Sequence, residues 1–120
     1  MFYVDEDTKQ ITMHRGDTGS MKITFTGYDF SNVNAYALFT LKQGTTEVKS
    51  EAHQIVNNQI TIDFANADTD WVTPGTFEYD VRVIIDPVFD QESGLPTDGT
   101  VVRTPEDPIP VTIKRTVGQI

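Results

Sequence analysis

From Thr76 to Asp86 the chain alternates: Phe77, Tyr79, Val81, Val83 and Ile85 fall on one side, Glu78, Asp80 and Arg82 on the other. Side chains of an extended strand point to opposite faces with period two, so this run is a strand with one buried face. A helix would scatter the same apolar residues around its whole surface. A strand of this kind needs paired neighbours and a second layer to cover it.

The neighbours are present as shorter alternating blocks. Ile11 and Met13 share a face, as do Met21, Ile23 and Phe25. Ala35, Ala37, Phe39 and Leu41 form a third set, Ile60, Ile62 and Phe64 a fourth. Thr100 to Arg103 and Ile109 to Thr116 complete the series, and Glu47 to Val56 reads as a polar edge strand. Composition agrees. Thr, Val and Ile number 17, 12 and 10, against 5 Ala and 3 Leu. β-branched residues fit a pleated surface and cost more in a helix, so the chain is expected to be all-β. Only Asn66 to Asp70 has room for a helical turn.

Between the blocks lie turn residues. Asn57-Asn58 suits the positive φ angles of a two-residue hairpin turn. Pro74-Gly75 is a turn pair, and Arg15-Gly16-Asp17-Thr18-Gly19 links two strands with two glycines. Seven or eight short strands spaced this way predict an antiparallel, Ig-like β-sandwich. One domain spans residues 1–120, with its core at about 11–116. Phe25, Phe39, Ile62, Phe77, Tyr79, Val81 and Val111 are the expected core. Pro87 to Gly99 reads as a long loop. Its Val88, Phe89 and Leu95 either fold back on the sandwich or meet another chain, and they are the candidate interface residues.

Charge narrows the partners. Eighteen acids against nine bases give a net −9, which disfavours nucleic acid and an anionic membrane surface. No cysteine is present, so disulfides, thiolate zinc sites and thiol nucleophiles are excluded. No apolar run approaches a membrane span, and Met1 to Asp7 lacks the basic and apolar parts of a signal peptide.

Few residues suggest chemistry. Asp17-Thr18-Gly19-Ser20 matches the tetrapeptide of aspartic proteases, whose chemistry needs two carboxylates sharing a proton. That aspartate follows a buried strand in the family; here it follows the polar His14-Arg15-Gly16, and a turn is the better reading. Arg15-Gly16-Asp17 also spells the integrin tripeptide, again best read as a turn. His14 and His53 are far apart and read as surface residues. The acidic groups read as solvated surface rather than a calcium loop, so no metal and no cofactor is expected. Trp71, the only tryptophan, reads either as a plug closing one end of the sandwich or as a platform for sugar rings beside Tyr28, Phe30 or Tyr36.

Four segments carry a family resemblance. Ile11-Thr12-Met13-His14-Arg15-Gly16-Asp17-Thr18 is a strand running into a turn; Ala37-Leu38-Phe39-Thr40-Leu41-Lys42 is a second strand. Ile60-Thr61-Ile62-Asp63-Phe64, Ala67-Asp68-Thr69 and Pro74-Gly75-Thr76-Phe77-Glu78-Tyr79-Asp80-Val81 follow in order, then Ile109-Pro110-Val111-Thr112-Ile113-Lys114-Arg115-Thr116. The chain thereby resembles the small β-sandwich domains of phage and prophage tails, like the N-terminal domain of the baseplate upper protein of phages of Gram-positive bacteria. The resemblance implies a non-enzymatic virion protein of the tail or baseplate. It would be made in the bacterial cytoplasm and would bind other tail or baseplate proteins, with a homo-oligomer possible. It carries over no catalytic residues. A carbohydrate- or cell-wall-binding module, using Trp71, is the alternative. An adhesin-like interaction domain of a host protein is the third reading.

Overall fold

The computed structural model describes residues 2–25, 30, 32–103 and 109–114. Its strands are β1 (Tyr3–Val4), β2 (Ile11–His14), β3 (Gly19–Thr24), β4 (Ala35–Gln43), β5 (Thr46–Gln54), β6 (Gln59–Phe64), β7 (Gly75–Phe89), β8 (Pro96–Arg103) and β9 (Ile109–Lys114). One helical turn, α1 (Asn66–Thr69), precedes β7. The large sheet runs β1-β2-β9-β7-β4-β5, with β8 also paired to β7; the small sheet is β3 beside β6. The protein is an all-β sandwich.

Alternation sets which face is buried. In β4, Ala35, Ala37, Phe39 and Leu41 are buried; in β7, Phe77, Tyr79, Val81 and Val83. They meet Met21, Ile60, Ile62 and Phe64 of the small sheet, and Ile11, Met13, Val111 and Ile113. All seven expected core residues are buried. The ring of Phe39 packs 5.2 Å from Tyr79 and 6.1 Å from Phe64, joining the two sheets. Phe2 closes an edge by stacking 5.2 Å from Phe64.

Asn57 and Asn58 take φ of 54° and 56°, and the Val56–Gln59 bridge closes the expected two-residue turn. The Asn58 side chain also accepts the Phe30 backbone N–H at 3.0 Å. β5 is the edge strand, as expected.

Three expectations need correction. The sheet is not wholly antiparallel: β2 pairs with β9 in parallel, Ile11 opposite Val111 and Met13 opposite Ile113. No hairpin joins these strands, so nothing local forces them antiparallel. Pro87 to Gly99 is not a long loop, because β7 continues to Phe89 and β8 begins at Pro96. Pro87 is tolerated because the β7–β8 ladder is already interrupted there, between Ile85 and Val88. Finally, Trp71 does not plug the core: it is 56% exposed. Val72 is buried in its place. The closing strand, expected over Ile109 to Thr116, runs from Ile109 to Lys114, and residues 115 and 116 lie outside the described residues.

Candidate functional site

Two of the exposed large apolar residues, Val88 and Phe89, lie on the arm formed by the end of β7 and the start of β8. β7 has fifteen residues. At about 3.3 Å per residue it spans about 50 Å, which matches the molecule's 49 Å long dimension. Its first half pairs with β9 and its second with β8. Within the β8-paired half, the ladder is interrupted at Asp86, whose φ is +51°. Aspartate tolerates this region better than most residues, and its N–H is held by the Asn34 carbonyl at 2.9 Å. The pairing slips here, and the strand is re-aimed.

Beyond Asp86, Val88 pairs with Asp98 and Phe89 with Pro96. Val88 is 58% exposed. Phe89 is less free: its ring stands edge-on to Tyr36 of β4, 5.0 Å between centroids. Gly99 fits where a side chain would not. Its φ is +144°, and an added Cβ would lie 2.6 Å from Ile84 Cγ2. The tip is a made turn. Asp90 N–H donates to the Leu95 carbonyl at 2.9 Å, and Gly94 N–H to the Asp90 carbonyl at 2.8 Å. The Asp90 carboxylate accepts from Glu92 N–H and Ser93 Oγ. Leu95 is half-buried at this tip. The three candidate interface residues are thus brought onto one arm. Asp90, Glu92 and Asp98 surround them with negative charge. Such an arm can present an apolar contact in a polar rim, and the Asp90 and Asp98 carboxylates accept local backbone N–H bonds.

Trp71 lies at the other end of β7, four residues before its start. Its expected aromatic companions are not gathered there. Phe30 is buried and packs on Phe25. Tyr36, paired with Ile84, is at the far end of β7 beside Phe89. Tyr28 lies outside the described residues.

The Arg15-Gly16-Asp17 segment is a turn bound into the body. Gly16 N–H donates to the buried Thr69 hydroxyl at 2.9 Å, and Asn66 Nδ2 donates to the Gly16 carbonyl at 2.9 Å. A φ of +83° and a Cβ position 2.9 Å from Asn66 Nδ2 require glycine at 16. Asp17 accepts the His14 backbone N–H at 2.8 Å. That bond closes the turn, and it is how the tetrapeptide's aspartate is used here. His14 and His53 are both partly exposed; His53 Nε2 is 2.9 Å from Glu51 Oε1 and borders an open recess of about 330 Å³ with Gln54, Val56 and Asn57. Among the described residues no group of three or more metal-ligating side chains converges, and no helix is long and apolar enough to cross a membrane.

Sequence reasoning names Tyr36 only as a companion of Trp71 and does not single out Leu38 and Ile84; all three lie on the outward face of the large sheet. A signal was available: an alternating strand with a solvated outer face should be polar at those positions. Comparison with known protein families, curated proteins and solved structures finds no match for this chain.

Proposed function

We propose that the protein is a non-enzymatic structural subunit of a phage or prophage tail or baseplate, and that it works by docking on neighbouring tail proteins. The observation that carries this reading is the β7–β8 arm, which projects Val88, Phe89 and Leu95 from a closed sandwich. An exposed apolar group in a polar rim is what a protein contact requires. The turn at Asp90 to Leu95 keeps the arm ordered before binding, which lowers the entropic cost of docking. Repeated copies in a ring would let each contact be weak. The net −9 keeps the free subunit soluble in the cytoplasm until assembly. Two further features support the reading. The tail-domain resemblance runs through β2, β4, β6, β7 and β9 in order. The order β9-β7-β4-β5, with β3 beside β6, parallels the G-F-C-C′ and B-E order of an immunoglobulin variable-type sandwich and supports an Ig-like assignment.

The test is the protein composition of purified particles from the bacterium that encodes the chain. The reading expects the chain in virions at a fixed ratio to a tail protein, and Val88→Asp to remove it from them. Absence from intact particles would overturn it.

Exposure of Trp71 favours one second reading, a cell-wall or carbohydrate-binding module. Since no other tryptophan contributes, its fluorescence reports directly on stacking. Quenching and a blue shift by wall polysaccharide are expected under this reading; an unchanged spectrum across such polysaccharides removes it.

A further inference from the structure

The outward face of the large sheet is charged unlike the rest of the molecule. The chain carries twice as many acids as bases. On this face, among the described residues, Lys42, Arg82 and Lys114 balance Glu47, Glu78 and Asp80. A face with balanced charge lets two copies of a −9 chain approach without strong repulsion.

Its residues also form a pattern that complements itself. Register places Ala52, Leu38 and Arg82 in one row across β5, β4 and β7. The next row is Ser50, Thr40 and Asp80. A two-fold axis lying in the face, across the strands and between these rows, sets Arg82 of each copy over Asp80 of the other. The same axis sets Leu38 over Thr40 and Ala52 over Ser50, pairs small enough for two sheets to approach the ordinary 10 Å. Arg82 is exposed and forms no ion pair among the described residues, so its charge is available.

We propose that this face is a two-fold interface with a second copy of the same chain, closed by reciprocal Arg82–Asp80 pairs. The size is adequate for a weak dimer. Four strands about 4.8 Å apart and nine residues long present a face on the order of 600 Å². Two such faces bury on the order of 1,200 Å², the lower bound of a specific interface. The isologous arrangement closes on itself, so a dimer rather than a filament forms. The inference does not depend on the virion assignment, because it needs only the face.

The test is light scattering and sedimentation of the full chain from about 1 μM to about 100 μM, where weak dimers dissociate. The wild-type chain is expected to pass from monomer to dimer in this range. Arg82→Asp and Asp80→Arg each place like charges together twice and should weaken the dimer by at least about tenfold. The variant carrying both exchanges restores opposite charges and should recover dimerisation; circular dichroism checks that each variant is folded. A wild-type monomer throughout, or a dimer indifferent to both single reversals, overturns the proposal. A double variant as weak as the singles also overturns the reciprocal pairing. A chain that dimerises in this way yet is missing from virions refutes the virion assignment alone, and a virion component that stays monomeric refutes the interface alone.

Discussion

Lys49 sits on the inward side of the edge strand β5, with about a tenth of its side chain exposed. Its ammonium is 3.0 Å from Asp68 Oδ2 and 3.1 Å from Glu51 Oε2, and 5.5 Å from the centre of the Phe64 ring. Burial by itself lowers an ammonium pKa. The hydrogen bonds and charges of Asp68 and Glu51 outweigh it and hold Lys49 above its ordinary 10.5. A pKa raised on folding stabilises the protein fully below the unfolded value and loses that contribution as pH rises through the folded one. Lys49→Gln is therefore expected to cost about 1.5–3 kcal/mol at neutral pH, the range for hydrogen bonds to charged groups. Urea denaturation should show the gap between wild type and variant narrowing above pH 10.5, as the wild-type ammonium deprotonates. A gap that stays constant through that range would mean packing, not charge, holds the strand. Gly99 poses a backbone problem instead. Alanine there meets Ile84 Cγ2 at 2.6 Å and the Pro87 Cα at 3.0 Å, in a conformation with φ of +144°. Gly99→Ala should destabilise by about 1–3 kcal/mol, the usual cost of overpacking, measured by the same denaturation.

At the scale of elements, the arm separates stability from contact. Val88 is mostly exposed but stands opposite Asp98, so Val88→Asp should cost no more than about 1 kcal/mol while removing any contact the arm makes. Phe89→Ala should cost about 0.5–1.5 kcal/mol, because its ring packs on Tyr36. Thermal unfolding of both variants beside a particle-incorporation assay checks the pair; a large loss of stability in Val88→Asp would place that side chain in the fold rather than at an interface. The strands β4, β6 and β7 are legible in the sequence because their inward positions are apolar at period two, which reports burial directly. So is the Asn57-Asn58 turn, since asparagine is one of few residues that accept positive φ. The arm was not. Pro87, Gly94, Pro96 and Gly99 with their acidic neighbours spell a loop, and a strand there depends on β7 already being long enough to template β8. The outward row of Tyr36, Leu38 and Ile84 was hidden for a different reason: whether a partly apolar outer face matters depends on which strands lie side by side. Trp71 was misplaced because size argues for burial, but Val72 takes the inward position. Val88, Phe89 and Leu95 share one frame, and that frame is a hairpin rather than a loop.

The whole molecule is closed by strands from its two ends. β9 lies between β2 and β7, parallel to one and antiparallel to the other. Neither contact is local, so both carry their full loop-closure cost before they stabilise anything. Sequence pattern cannot announce such a pairing, since alternation marks a strand but not its partner. The consequence is cooperativity. Ile113 is 1% exposed, opposite Met13 in β2 and Gly75 in β7, and belongs to the single apolar cluster that holds both sheets. Ile113→Ala should cost about 2–5 kcal/mol, the range for truncating a buried isoleucine. If β9 closes the whole sandwich, that loss appears equally in amide exchange of β2, β4 and β6, which open only with global unfolding. The arm beyond Asp86 touches the body through Phe89 and Gly99, so its amides should exchange by local opening and be insensitive to the substitution. Protection lost only in β2 and β9 would show instead that the ends fray independently. In that case the arm and the β4–β5 face would rest on a sheet that does not need its terminal strands, and a partner reaching them could bind before the chain has closed.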